Sequence, residues 1–261
     1  MMKEVLPPGF DRLARHRPPQ GQPIMHQNWG KVLFMHWRIE EDLLRPLVPK
    51  RLEIDNFDGS AWIAIAPFTM WEIRALPPLL PPVPGFRSMH ELNVRTYVRL
   101  GLVPGVWFFS LDCNSAAAVL AARRFFFLPY YKAEIDLEQQ GQTINYSLTR
   151  TDEPPSDFTA SWKIGDLLSY SHPGSLEFFL TERYCLYSEH NNRLYRARIH
   201  HQPWPLQKAT LSSFSSTMIE SHGLPAPSGE PLLHYAQELS VDIWPLERTV
   251  GTGCQNSKGL D

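Results

Sequence analysis

The chain of 261 residues is 43% hydrophobic and 12% aromatic, which excludes general disorder and supports a sizeable core. A formal net charge of −2 gives no electrostatic case for nucleic acid or an anionic membrane surface. Cys113, Cys185 and Cys254 are widely spaced and outside any CxxC pattern, so no disulfide framework or zinc ribbon is indicated; with no signal-like or transmembrane run either, the expectation is a cytoplasmic protein.

Residues 1–28, with Pro7-Pro8, Pro18-Pro19 and a basic cluster, carry no sustained periodicity and read as a surface arm. Lys31 to Ile39 reads as a strand with Val32, Phe34, His36 and Arg38 on one face. Glu40-Glu41-Asp42 opens a short helix that Pro46 and Pro49 end, because acids favour the helix N-terminus and proline cannot continue the ladder. Leu52 to Asp55 is a short strand, residues 57–60 a turn, and Ala61 to Trp71 a strand bent at Pro67. The proline-dense stretch 77–85 is too rigid for a flexible linker and is read as a loop folded over one end of the sheet, with a plain edge connection as the alternative.

The next strand organises the rest. In Glu91 to Val98, a period of two puts Glu91, Asn93, Arg95 and Tyr97 on one face and Leu92, Val94, Thr96 and Val98 on the other. The Pro104-Gly105 pair is read as a tight turn into the apolar strand Val106 to Leu111, which makes these two strands antiparallel neighbours. Ser115 or Asn114 caps an alanine-rich helix, and Tyr130 to Ile135 follows as a strand with Tyr130, Lys132 and Glu134 on one face. Gly141 turns the chain back into Thr143 to Arg150, and Phe158 to Ile164 resumes the strand pattern. Ser175 caps a second helix, Leu176 to Arg183, and Tyr184 to Ser188 and Leu194 to His201 flank the hairpin turn 189–192. The Ser-rich stretch 210–217 is read as irregular, Glu238 to Trp244 as a final strand, and residues 248–261 as a loose tail.

About ten strands against two main helices, without repeats or a long linker, give an α+β, predominantly antiparallel protein with one domain over residues 29–247. A curved sheet or barrel is the expected form. No GxGxxG, P-loop, GxSxG or HExxH motif is present, and His200-His201 point to opposite faces of a strand, so neither a metal nor an organic cofactor is indicated. The polar face is the candidate site: Arg95 to engage an anion, Glu91 as acid or base, and Asn93, Tyr97 and Tyr130 as ligand contacts. Lys132, were it to enter an apolar cavity, would be an amine with a lowered pKa of the kind that forms imines.

His36-Trp37, Phe57-Asp58-Gly59, Ala61-Trp62, Pro67-Phe68, Glu91 to Val98, Gly105 to Asp112, Leu128-Pro129-Tyr130, Leu176 to Tyr184 and Pro203 to Leu206 occur in the order of, and resemble, the YqjF-like family of uncharacterised bacterial proteins. That resemblance implies the acetoacetate decarboxylase fold, a cone-like antiparallel barrel around a small cavity. The decarboxylases follow an Arg and, six residues on, a Pro with two lysines that make and tune a Schiff base. Here Arg123 and Pro129 keep the spacing, but Tyr130 and Tyr131 stand where the lysines would, and Lys132 comes one residue late. Acetoacetate decarboxylation is therefore not expected. The favoured reading is a cavity-containing protein that binds a small organic anion. The alternatives are a lyase or hydrolase working through Lys132 or Glu91 on a small keto acid, and a structural protein whose polar face is a satisfied network. The sequence leaves homo-oligomerisation open.

Overall fold

The structure, a computed structural model, describes residues 17–75 and 88–249; the proline-dense stretch and residues 250–261 of the expected tail lie outside these, while Arg248, at the start of that tail, belongs to a short strand. Within them a single sheet of thirteen strands accounts for most of the chain. In chain order these are β1 (Met25–Ile39), β2 (Glu53–Ile54), β3 (Ala61–Ala75), β4 (Ser88–Leu100), β5 (Val103–Cys113), β6 (Tyr130–Gln140), β7 (Thr143–Arg150), β8 (Asp157–Leu167), β9 (Cys185–His190), β10 (Arg193–His200), β11 (Leu206–Ser216), β12 (Leu232–Ile243) and β13 (Glu247–Arg248). Three α-helices interrupt them: α1 (Glu41–Leu44), α2 (Ala116–Phe125) and α3 (Leu176–Thr181).

Two strands fork, and this makes the sheet ring-like. β5 pairs antiparallel with β4 but parallel with both β6 and β9. β12 pairs antiparallel with β1, β10 and β11. One circuit therefore runs β4–β5–β9–β10–β12–β1–β3 and back to β4, and a second leaves β5 through β6, β7, β8 and β11 to the same β12. The wall β12–β1–β3–β4–β5 is shared, so both its faces are buried. One face carries Leu33, Met35, Ile63, Ile65, Leu92 and Val94 into the larger apolar core with Tyr146, Phe158 and Trp162. The opposite face carries Val32, Phe34, Ala66, Phe68 and Met89 towards α2 and Trp204.

Several boundaries differ from the sequence reading for identifiable reasons. β1 begins at Met25, inside the expected arm, because Lys31 at φ 52° inserts a bulge that breaks the alternation of Met25 to Trp29 from that of Val32 to Arg38. The turn before β5 is at Gly101-Leu102, not Pro104-Gly105; those two residues pair with Arg99 and Val98 inside the ladder. Gly105 is required there by close approach, since a Cβ would sit 2.7 Å from the Cys185 carbonyl oxygen and 2.8 Å from the Tyr187 ring. The Ser-rich stretch is regular: β11 pairs with β8 from Gln207 to Ser216. The two helix caps fall as read, with the Ser115 hydroxyl accepting from the Ala118 N–H and that of Ser175 from the Phe178 N–H. The turn between β9 and β10 has Asn191 and Asn192 at φ 51° and 56°, the left-handed pair that a two-residue hairpin requires.

Candidate functional site

Alternation along β4 delivers Glu91, Asn93 and Arg95 to the α2 side of the shared wall, where they line a cavity of about 230 Å³. β1 contributes Gln27, Trp29 and Phe34, β3 contributes Ala66, Phe68 and Met70, and β5 contributes Phe108 and Leu111. Leu186 on β9, Ile199 on β10 and Ile243 on β12 complete the ring, and α2 closes over it with the small side chains Ala118, Ala121 and Ala122. Most of this lining is hydrocarbon.

Glu91 is 2% exposed. The Tyr130 hydroxyl donates to its Oε2 at 2.7 Å. Burial pushes the Glu91 carboxyl up to about 8; the Tyr130 bond opposes that shift and the nearby Asp112 adds to it. At neutral pH Glu91 is thus mostly a neutral acid, able to donate as well as accept. Burial also drives the Tyr130 phenol well above its usual 10, with Glu91 as the next cause, so Tyr130 remains a donor.

Arg95 lies over the faces of Phe34 and Tyr97, its guanidinium carbon 5.4 and 5.9 Å from the ring centroids. Four residues of strand, about 13 Å, separate its backbone from that of Glu91, and no ion pair joins the two. Among the described residues no carboxylate bridges Arg95 at all. Its Nε is buried without a hydrogen-bond partner, as is Oδ1 of Asn93. His36 follows Phe34 on the same face of β1 and is buried; burial, then the charge of Arg95, hold it well below its usual 6.5, which disfavours a second positive charge beside Arg95.

Tyr97 is fully buried against Phe179 of α3, ring centroids 5.4 Å apart, and forms the floor beyond Arg95 without lining the cavity. Lys132 departs from the expectation that it might reach the interior. It is exposed and outside the cavity, because β6 leaves β5 after Lys132, the last of three paired residues, and its continuing face is solvent. Its backbone N–H is held by Asp152 at 3.1 Å. Tyr131 packs half-buried beneath Arg150, 4.2 Å from guanidinium carbon to ring centroid. No lysine lines the cavity among the described residues. His200 and His201 do not form a metal site: His200 pairs across to Asp242, while His201 stacks on Tyr184 at 4.5 Å. No cluster of metal-ligating side chains occurs among the described residues. Cys113 and Cys185 are buried thiols, and burial pushes Cys113 up to about 12, far from a reactive thiolate.

Sequence reasoning missed Gln27, Trp29, Met70 and Trp204 as lining residues. Trp204 is anchored by its backbone N–H donating to Glu182 Oε1 at 3.0 Å, while the Tyr184 hydroxyl holds the other oxygen at 2.5 Å. The signal for this was the polar run Thr181-Glu182-Arg183 at the end of a helix whose preceding residues Phe178, Phe179 and Leu180 are apolar; no local signal marked Gln27.

The model of the DUF2071 family, described as an uncharacterized conserved protein, matches residues 26–240. The chain belongs to this family. Within DUF2071 it is 43% identical over 230 residues to the uncharacterized protein YqjF of Bacillus subtilis (strain 168), covering 88% of this chain and 94% of that one. Among solved structures, the enduracididine biosynthesis enzyme MppR complexed with pyruvate superposes with a TM-score of 0.63 at 13% identity, over 89% of this chain and 93% of that one. An acetoacetate decarboxylase does so with a TM-score of 0.58 at 16% identity, over 90% and 91%. A second, from Legionella pneumophila, covers 95% and 99% with a TM-score of 0.56 at 12% identity. At such identities the likeness establishes the fold: this DUF2071 chain has the acetoacetate-decarboxylase-like architecture.

Proposed function

We propose that this chain binds a small organic anion in the α2-side cavity, with Arg95 as the anchor and Glu91, Asn93 and Tyr130 as neutral hydrogen-bonding partners. The observation that carries this reading is the environment of the Arg95 guanidinium. A guanidinium in a hydrocarbon-lined cavity, with a buried Nε that has no partner and no carboxylate bridging it among the described residues, is a costly arrangement unless an anion completes it. Asn93 Oδ1, likewise buried without a hydrogen-bond partner, leaves an acceptor open on the same face. With Glu91 mostly protonated, the cavity offers one positive charge and no competing negative one at neutral pH.

The test is calorimetric titration with a panel of carboxylates, with thermal shift as a parallel readout. Arg95→Ala is expected to weaken binding by roughly ten- to a hundredfold, as for loss of a charge-assisted hydrogen bond. Undiminished affinity in the variant would overturn the reading.

A second reading is favoured by the Glu91–Tyr130 pair. A carboxyl that titrates near pH 8 beside a phenol is suited to proton transfer to a bound substrate, the role of acid or base in a lyase or hydrolase. Under it, Glu91→Gln retains binding of the substrate and loses turnover. The imine route through Lys132 is not part of this reading, because that amine lies outside the cavity.

A further inference from the structure

The cavity lining changes character along its length, and strand register fixes the order. On β4 the lining residues run Met89, Glu91, Asn93, Arg95. The next residue on that face, Tyr97, is fully buried and marks where the lining stops. Across β3, Met70 pairs with both Trp29 and Met89, whereas Ala64 pairs with both His36 and Arg95. These two levels lie six residues of strand apart, a span of about 20 Å. The cation therefore sits at the inner end, beside the buried Tyr97, His36 and Phe179. Beyond Met89 the walls are Met25, Ile73, Ile243 and Phe125, the last 67% exposed, so the mouth is at this opposite end.

This order constrains what the anion can be. Arg95 is the one cation among the described lining residues, so a second anionic group further along the bore would be desolvated without a partner. Towards the mouth the hydrogen-bonding side chains are the neutral amide of Gln27 and the indole of Trp29, whose Nε1 is buried without a partner; neither carries a charge, and most of the rest is apolar. Met25, Met70 and Met89 are unbranched and adaptable, a surface that follows a flexible chain better than it fixes a rigid ring. Ala66, Ala118 and Ala122 keep the bore open where larger side chains would fill it.

We propose that the ligand is an alkyl monocarboxylate, its carboxylate on Arg95 and its chain extended past Met70 and Met89 towards the mouth. This rests on the reading above that Arg95 holds an anion, and it adds the length and apolarity of the remainder.

The experiment is isothermal titration of the whole protein with the sodium salts of acetate, butanoate, hexanoate and octanoate, and with octanol as the uncharged counterpart. Affinity is expected to rise by about fourfold per added methylene, the transfer value for burying hydrocarbon. Octanol is expected to bind at least tenfold more weakly than octanoate. Met70→Trp, which fills the outer bore, is expected to abolish the gain in affinity between butanoate and octanoate; Ala122→Leu serves the same purpose from α2 should the first variant not fold. Equal affinity for butanoate and octanoate would overturn the alkyl-chain inference and leave the anion reading intact. Octanol binding as tightly as octanoate, or no binding by any of the acids, would overturn both.

Discussion

Arg95 and Glu91 share a cavity and meet its low polarity in opposite ways. The guanidinium cannot shed its charge, so its cost remains in the unliganded protein; the carboxyl escapes by keeping its proton. The first consequence is a trade between stability and binding. Arg95→Met, which fills similar space without a charge, is expected to raise the unfolding free energy of the ligand-free protein by about 1–2 kcal/mol while abolishing anion binding. Urea melts of the two proteins check this, and a variant less stable than the parent would mean that the stacking on Phe34 and Tyr97 outweighs desolvation. The second consequence is a pH dependence. The folded value of Glu91, about 8, lies above its ordinary 4.5. Between those values the native state holds a proton that the unfolded state has released, so the Glu91 contribution is greatest below pH 4.5 and declines as pH rises through 8. Glu91→Gln keeps an acceptor for the Tyr130 hydroxyl and removes the titration. The variant is expected to match the parent near pH 5 and to exceed it in stability at pH 8.5, seen as diverging urea midpoints. Parallel pH profiles would refute the raised value.

At the scale of the element, β4 was legible because its two faces are both buried yet chemically different, and alternation survives in the letters: Glu91, Asn93 and Arg95 separate cleanly from Leu92, Val94 and Val98. What the letters could not carry was partnership. The parallel pairings of β5 with β6 and β9 join residues distant in sequence, and nothing local in Lys132 tells that its strand has already left the cavity wall. Gly105 looked like a turn residue because glycine answers equally to curvature and to close approach. β11 looked irregular because serine has weak strand preference, and its regularity is imposed by β8. The connection of the two walls at Asp112 was equally invisible. Arg150 on β7 meets Asp112 on β5 through two hydrogen bonds of 2.6 and 2.9 Å, both side chains wholly buried. Arg150→Met is expected to destabilise the fold by about 3–5 kcal/mol, since it strands a buried carboxylate. Adding Asp112→Leu is expected to recover most of that loss. A double variant as unstable as the single one would place the cost in the lost Arg150 contacts to Pro154 and Ser221 instead.

The whole molecule is held as a ring by seams of unequal length. β1 runs alongside β12 from Met25 to His36, and β3 alongside β4 from Ile63 to Trp71. The hairpin β9–β10 closes the cavity circuit through far less: two residue pairs to β5 at Val106 and Trp107, and two to β12 at Ile199 and His200. A backbone bond from the Trp244 N–H to the Arg198 carbonyl extends the second seam, and beyond it β13 adds two residue pairs to β10, at Tyr195 and Arg196, with an ion pair of Arg198 to Glu247. Leu186 and Ile199, one on each strand of this hairpin, line the cavity. Few ladder bonds at both edges make the hairpin the segment of the circuit that opens at least cost, ahead of global unfolding. Native-state hydrogen exchange should therefore find the amides of Leu186 to Ile199 exchanging with an opening free energy below that of β1 and β3. A ligand spanning the bore touches both seams and binds the closed ring alone, so saturating octanoate is expected to slow exchange in this hairpin more than in β7 and β8, which lie on the other circuit. Protection that rises evenly over both circuits would mean that the ring opens as one unit, and that ligand reaches Arg95 only through the mouth at Met25, Ile73 and Phe125.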